Sequence, residues 1–466
     1  MTLIDALVRA VGPDHVWPGG ELPAYELDWR RRYQGRALAV VRPASTEQVA
    51  AVVRACAAHG AGLVPQGGNT GLVGASVPDA SGTQVLLNLG RMNRVRSIDT
   101  ANLTMTVEAG CVLQAVQEAA RDRALLFPLS LAAQGSCTIG GNLATNAGGT
   151  QVLRYGNARD LCLGIEVVTA QGEVWDGLSG LRKDNTGYDL RDLYIGSEGT
   201  LGVITAATLK LYPQPAAVCT AWAGLPRLQD AVGLLELAQA RLGPSLTGFE
   251  VMGRHAIDLV RRHFPALSQP LAAQPWSVLL EQSDGQDAAH AQAQFEALLA
   301  VAMDRGLVRD AAVAASLEQS ATMWHIRESI PLAQALEGPN IKHDIALPVS
   351  AIVEFVAHTD AALQRACPGV ELVNFGHLGD GNLHYNVQAP AGLDATAFLR
   401  DHETRVNAVV YDAVSQRGGS ISAEHGIGTL KRGELQRRKS PVALALMRAI
   451  KQALDPGGLM NPGRLL

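Results

Sequence analysis

No stretch of this sequence reaches the roughly 18 consecutive apolar residues that a membrane-spanning helix needs. The opening MTLIDALVRAVG reads as an amphipathic helix and not as a secretion signal, so the expected setting is cytoplasmic. Charge is scarce, at 18% of residues, and the formal net charge is -5, which leaves no electrostatic footprint for nucleic acid. Six cysteines (Cys56, Cys111, Cys137, Cys162, Cys219, Cys367) form no C-x-x-C pair and no dense framework, so they are expected to be reduced and buried. What remains is 47% apolar over 466 residues, the composition of a compact enzyme with more than one domain, because single cores stop growing beyond about 250 to 300 residues.

One stretch lacks cations altogether. Gln134 to Thr150 reads QGSCTIGGNLATNAGGT, with Gly135, Gly140, Gly141, Gly148 and Gly149 among small hydroxyl and amide residues. Glycine used this heavily lets backbone approach something closely, and bared N–H groups hold phosphate oxygens without formal charge. Pro65 to Gly74, PQGGNTGLVG, has the same character. Two such cradles point to one long ligand with a central diphosphate, while tight turns in a strand-rich domain are the bland alternative. Cys137 inside the main cradle reads first as a small hydrophobe among glycines.

Ala37 to Val41 reads as a strand stopped by Pro43. Ser45 with Gln48 forms a capping box for a helix that buries Val49, Val52, Val53 and Cys56 and ends at Gly60. Gly62 to Val64 then returns as a strand into the first cradle, so the glycine loop follows the second strand of a β-α-β unit, unlike a Rossmann fold. Strands are expected over Val85 to Leu89 and Leu103 to Glu108, a helix over Val112 to Ala124, and a hairpin from Leu163 to Trp175. Ile195 to Thr205 is a third glycine-punctuated stretch, and Pro213 with Pro215 marks a candidate domain boundary. Beyond it, helices over Leu228 to Arg241 and Ala288 to Arg305 alternate with strands over Leu246 to Val251 and Trp276 to Leu280, reading as a second, α+β domain.

That second part carries the densest chemistry. In Glu371 to Val387, Asp380-Gly381 is a strong two-residue hairpin signal. It predicts His377 directly opposite His384, with Cα atoms about 5.5 Å apart and Asn386 on the same face. Such a pair can share a metal ion or form a hydrogen-bonded surface cluster. Ser422 to Gly428 adds Glu424 and His425 in a glycine-flexed loop, and two His plus one Glu would leave open positions on a divalent ion. Arg327, in Trp324 to Pro331, either presents a guanidinium fork to a carboxylate or pairs with Glu328 or Glu337 on a solvated helix.

The run from PQGGNTGLVG through GSCTIGGNLATNAGG, LRKDNTGYDL and IGSEGTLGVIT resembles the flavin domain of the vanillyl-alcohol oxidase/para-cresol methylhydroxylase superfamily, most closely its D-2-hydroxyacid dehydrogenase branch, over nearly the whole chain. The resemblance implies an α+β fold in two parts: an FAD-binding domain over 1–215, completed by a return over 419–466, and an inserted substrate (cap) domain over 216–418. It places the FAD diphosphate against Gly67, Gly68, Asn69 and Thr70, with Pro65 and Gly71 also binding the cofactor, and the flavin and ribityl region against Gly135, Ser136, Gly140, Asn142, Thr145, Asn146 and Gly149. Glu198, Gly199, Gly202 and Ile204 are assigned to the adenine side and Asn461 to the isoalloxazine. No histidine occurs between His59 and His255, so non-covalent FAD is expected, with Cys137 the remaining candidate for a covalent link.

The same resemblance assigns His377, His384 and Glu424 as ligands of Zn2+, with Mn2+ or Co2+ as alternatives. It gives His425 as the base and Arg327, Lys342 and Asn386 as further catalytic-site residues. It implies oxidation of a D-2-hydroxy acid, D-2-hydroxyglutarate or D-lactate, by hydride transfer to flavin, with electrons passed to an electron-transfer flavoprotein, cytochrome or quinone, and it leaves a homodimer open. Pro331 departs from the pattern of relatives specialised for 2-hydroxyglutarate, which tend to offer a Thr there, because proline donates no hydrogen bond to a distal carboxylate. A metal-dependent hydrolase using the His/His/Glu set alone, and a flavin-carrying subunit without chemistry of its own, are the competing functions.

Overall fold

The computed structural model describes residues 1–20 and 22–466. The chain divides into two units, one made of Met1–Gly148, Gly156–Gln214 and Glu424–Leu466, the other of Gly149–Tyr155 and Pro215–Ala423.

Two main sheets build the first unit. Strands β1 (Val16–Pro18), β2 (Ala37–Val41), β3 (Leu63–Gln66) and β4 (Gln84–Asn88) lie in the order β1-β2-β4-β3. The helix Thr46–His59 connects β2 to β3, and its apolar stripe Val49, Val52, Val53 and Cys56 is fully buried. Each of those valines contributes roughly 1.5–3 kcal/mol by burial. Ser45 caps this helix by accepting the Gln48 amide, and Gly60 ends it in the left-handed region. The expected reciprocal capping box is corrected: the Gln48 side chain accepts from the Ala44 amide, one residue before the cap.

Strands β5 (Val95–Asp99), β6 (Thr104–Glu108), β7 (Leu125–Leu126), β8 (Cys162–Thr169), β9 (Val174–Gly177), β10 (Gly202–Lys210) and β11 (Tyr212–Pro213) follow. Five of them form a sheet in the order β5-β6-β10-β8-β9, and β7 pairs with β11. The expected hairpin is β8 with β9. The third glycine stretch is a turn that feeds β10, so Gly202 and Ile204 are strand residues.

The second unit is built on one seven-stranded sheet. Its strands are β12 (Ala217–Leu225), β13 (Leu246–Gly253), β14 (Trp276–Asp284), β15 (Asp310–Val313), β16 (Asp344–Ala346), β17 (Glu371–His377) and β18 (Asn382–Gln388), in the order β15-β12-β14-β13-β17-β18-β16. Alternation sorts the two faces. Phe249, Val251, Leu280, Leu383, Tyr385 and Val387 pack into a large apolar core with the helices Leu228–Leu242, Ala288–Asp304, Val349–Ala366 and Ala395–Gln416. On the other face Trp222, Met252, Leu279, Val373 and Phe375 pack against Met323, Ile326, Ile330 and Ala333 of the helices Leu317–Glu328 and Ile330–Leu336.

The predicted hairpin register is corrected. Leu378–Asp380 forms a single 3-10 turn, and Gly381 (φ 82°) closes it, whereas Asp380 stays out of the left-handed region that a type I′ loop demands. The loop is therefore longer, and Phe375, not His377, stands opposite His384. A slip of two residues preserves the face, so His377, His384 and Asn386 still project to the same side, with the two histidines diagonal and not opposed.

Candidate functional site

The cradles of the first unit are assembled from backbone. Gly67 to Gly71 directly follow β3, and the main cradle holds a short helix, Ile139–Ala144. The two approach so closely that a Cβ on Gly68 would stand 1.9 Å from the Ser136 carbonyl oxygen, and the main cradle also packs against the end of β6, where a Cβ on Gly140 would stand 2.7 Å from the Ala109 Cβ. Gly68, Gly135 and Ser136 are exposed, so this backbone faces outward. Among the described residues eight non-glycines have positive φ, and four of them are predicted site residues: Asn69 (54°), Asn146 (50°), Glu198 (54°) and Asn461 (41°). Backbone held in that sparsely populated region costs energy and concentrates at ligand sites.

Their side chains fix the loops. Asn69 Nδ2 donates to the Leu27 carbonyl and its Oδ1 accepts from Ser76. Asn146 Oδ1 accepts the Arg159 amide, and Thr145 Oγ1 donates to the Gly141 carbonyl. Asn461 Nδ2 donates to the carbonyls of Ala75 (3.0 Å) and Glu198 (2.7 Å), tying the tail to both neighbouring turns. The buried oxygens Thr138 Oγ1 and Asn461 Oδ1 have no protein partner. Backbone amides, orphaned oxygens and the absence of cations fit the phosphate and polyhydroxyl chain of FAD. Burial pushes the Cys137 thiol above its usual range, which makes it a poor nucleophile for a covalent link.

Glu198 has a use that the sequence did not suggest. Its carboxylate accepts the amides of Ile427 and Gly428, both at 2.7 Å, so it holds the loop immediately after His425. Burial raises its pKa, and those two amides oppose the rise. Gly199 continues the turn at φ 71°.

Side chains make the polar face of the second unit. Glu250 on β13 is paired in register with His377 on β17 and is fully buried. Its Oε1 lies 2.5 Å from His377 Nδ1, and its Oε2 lies 2.7 Å from Arg327 Nε. Burial alone would push this carboxyl up, but the Arg327 guanidinium and the His377 ring outweigh it and hold the pKa at about 2. The solvated-helix reading of Arg327 is corrected: it is buried, and it pairs with Glu250 and not with Glu328 or Glu337. Its guanidinium carbon stands 5.2 Å above the Phe375 ring, and its Nη2 is buried without a partner.

The His377 and His384 rings are 5.6 Å apart. His384 pairs in register with Asp344, and their Nδ1 and Oδ1 are 3.9 Å apart. The registers on either side, Ile341 with Val387 and Asp344 with His384, put Lys342 opposite Asn386 on this same face. Asn386 is held at both ends, with Oδ1 accepting the His343 amide (3.1 Å) and Nδ2 donating to Gln334 Oε1 (2.9 Å). The Ala423 amide donates to the Asp344 carbonyl (3.3 Å), and Glu424 and His425 follow directly in the chain. A histidine whose Nδ1 is held by a carboxylate offers its Nε2 outward, the arrangement that metal-ligating histidines adopt. These donors fit a divalent ion.

Three residues were missed. Glu250 is a lone carboxylate in the apolar run Phe249 to Met252, and a buried charge needs a buried partner, so its position was the available signal. Glu281, on the same face, accepts from Trp324 Nε1 (2.7 Å), and its pKa is raised by burial. Gln334 carried no signal beyond its helix.

Fold and cradles together define a flavin-nucleotide enzyme. The family described as "FAD linked oxidases, C-terminal domain" matches residues 214–465, and "FAD binding domain" matches 37–177. The chain is 40% identical to the mitochondrial D-2-hydroxyglutarate dehydrogenase of Bos taurus over 461 residues (99% of this chain, 82% of the relative). It is also 40% identical to the D-2-hydroxyglutarate dehydrogenase of Xanthomonas citri pv. viticola over 448 residues (96% and 92%). Its fold matches p-cresol methylhydroxylase with substrate bound at a TM-score of 0.77 and 16% identity, over 99% of this chain and 96% of that one. The chain belongs to the FAD-linked oxidases, and within them to the FAD-dependent D-2-hydroxyacid dehydrogenases, and it has the fold of p-cresol methylhydroxylase. It is an FAD-dependent dehydrogenase, and the hydrolase and carrier-subunit readings are not favoured. Among the described residues no helix is long and apolar enough to cross a membrane.

Proposed function

We propose that this dehydrogenase oxidises D-2-hydroxyglutarate to the 2-oxo acid with the help of a divalent metal, and that FAD is bound without a covalent link. Residues 1–215 with 419–466 would carry FAD, and 216–418 the substrate. The names of the relatives support the substrate. The observation that carries the site is the buried Arg327, which keeps one guanidinium nitrogen unpartnered on the sheet face that also bears His377 and His384.

On this reading Arg327 and Lys342 hold the substrate carboxylate, and the planar guanidinium suits that partner. His377, His384 and Glu424 hold the ion, zinc before manganese or cobalt. Asn386, fixed by Gln334 and the His343 amide, lines the same face. When bound, FAD supplies the acceptor for the hydride of the carbinol carbon, and the ion supplies the Lewis acid for the hydroxyl. His425 takes the hydroxyl proton on an imidazole nitrogen, and the loop that carries it is braced by Glu198. An electron-transfer flavoprotein, a cytochrome or a quinone would accept the electrons.

Pro331, at the first turn of the helix Ile330–Leu336, favours one second reading, D-lactate or another short acid, because it offers no donor to a distal carboxylate. Anaerobic mixing of the yellow protein with D-2-hydroxyglutarate, D-lactate, D-malate or glycolate tests both. D-2-hydroxyglutarate is expected to bleach the flavin fastest, and chelator-treated protein is expected to bleach more slowly until zinc is restored. Faster bleaching by D-lactate would overturn the substrate, and chelator-insensitive bleaching the metal.

A further inference from the structure

Glu250 belongs to no motif, yet it touches two of the side chains on which the proposed chemistry turns. We infer that Glu250 is a positioning residue that sets both the metal-ligating nitrogen of His377 and the carboxylate-binding edge of Arg327; the inference rests on the metal reading above. Each oxygen has one task. Oε1, 2.5 Å from His377 Nδ1, keeps the proton on that nitrogen and so leaves the Nε2 lone pair as the one available to a cation. Oε2, 2.7 Å from Nε of Arg327, fixes the plane of the guanidinium and leaves Nη2 buried and unpartnered.

A simple charge-compensating pair would need only one partner and would satisfy all of it. A buried pair of that kind is often replaceable by apolar residues at no loss of stability. Here the carboxylate is divided, and the cation is left with an unmet donor. The setting is also rigid, because Glu250 and His377 are cross-strand partners at the centre of the sheet. Stacking completes the frame: the Arg327 guanidinium lies over Phe375, whose ring is 4.8 Å from that of His384.

The test compares Glu250→Gln with Arg327→Met. Zinc affinity is measured by dialysis against chelator-buffered zinc, kcat and KM with D-2-hydroxyglutarate, and FAD content by visible absorbance as a check on folding. E250Q is expected to stay yellow, to lose zinc affinity by roughly 10- to 100-fold, and to raise KM by at least about tenfold. R327M is expected to raise KM while zinc affinity stays within about twofold of wild type. Zinc affinity in E250Q as tight as in a zinc-dependent wild type, or an unchanged KM, would overturn the inference and leave the metal reading standing. Should E250Q fail to fold because Arg327 is left as a lone buried charge, the double variant E250Q/R327M removes that charge. It is expected to show the same loss of zinc affinity, and tight zinc there also overturns the inference. A wild type that keeps full turnover without metal overturns the metal reading and this inference with it.

Discussion

The two regions that carry the chemistry are built from different materials. Around Gly68 and Gly140 the polar groups are backbone amides, the side chains are small, and the precision lies in contacts too close for a Cβ. On the sheet face around Glu250 the polar groups are titratable side chains, and the precision lies in hydrogen bonds of 2.5 and 2.7 Å to one buried carboxylate. A site made of backbone tolerates loss of charge but not added bulk, and a site made of charges has the opposite sensitivity.

The strongest way to break this contrast is to add bulk to the cradle. Gly68→Val places carbon against the Ser136 carbonyl and should cost roughly 3 kcal/mol or more, about 100-fold in FAD affinity, seen as protein purified without yellow colour. Retained flavin would mean that the cradles can part. Next in size is a pair of changes on the chemistry. His377→Ala is expected to lose zinc yet keep FAD, whereas His425→Asn keeps both and lowers kcat by about 100- to 10,000-fold. Metal analysis and absorbance on the same samples separate them, and loss of FAD in either would show that the two materials are not independent.

The smallest effect concerns a charge inside the first unit. Burial raises the Glu166 carboxyl, but hydrogen bonds from Arg96, Thr46 and Thr205 outweigh it and hold the pKa below the ordinary 4.5. A depressed folded-state pKa stabilises above the unfolded value and loses that contribution as pH falls through the folded value. Wild type should therefore lose on the order of 1 kcal/mol below about pH 4.5 that Glu166→Gln does not, and FAD affinity near neutrality should be unchanged. Denaturant midpoints at several pH values check the first, and flavin titration the second.

Much of the first unit was legible because its signals are local. A cap at Ser45, a stripe at Val49 to Cys56 and a stop at Gly60 each act within a few residues, and the helix formed where they said. The α+β class and the superfamily were readable from four motifs in order. The second unit was legible for its strands and faces but not for its pairing. The Asp380-Gly381 signal found the turn, yet register depends on whether Asp380 adopts positive φ, and a 3-10 turn absorbed the extra residues instead. Long-range partners were the least visible. Glu250 and Arg327 are 77 residues apart, and Glu198 and Ile427 are 229 apart, so nothing in the local sequence around Arg327 or Glu198 announces them.

The four-stranded sheet ends at β3, and that edge is closed by the last residues of the chain: the Leu63 amide donates to Leu459, and the Asn461 amide donates to Leu63. An unpaired strand edge is a template for sticking to other chains. During synthesis β3 can pair with β4 early, but its other edge waits for nearly four hundred further residues to be made before the segment that closes it is available.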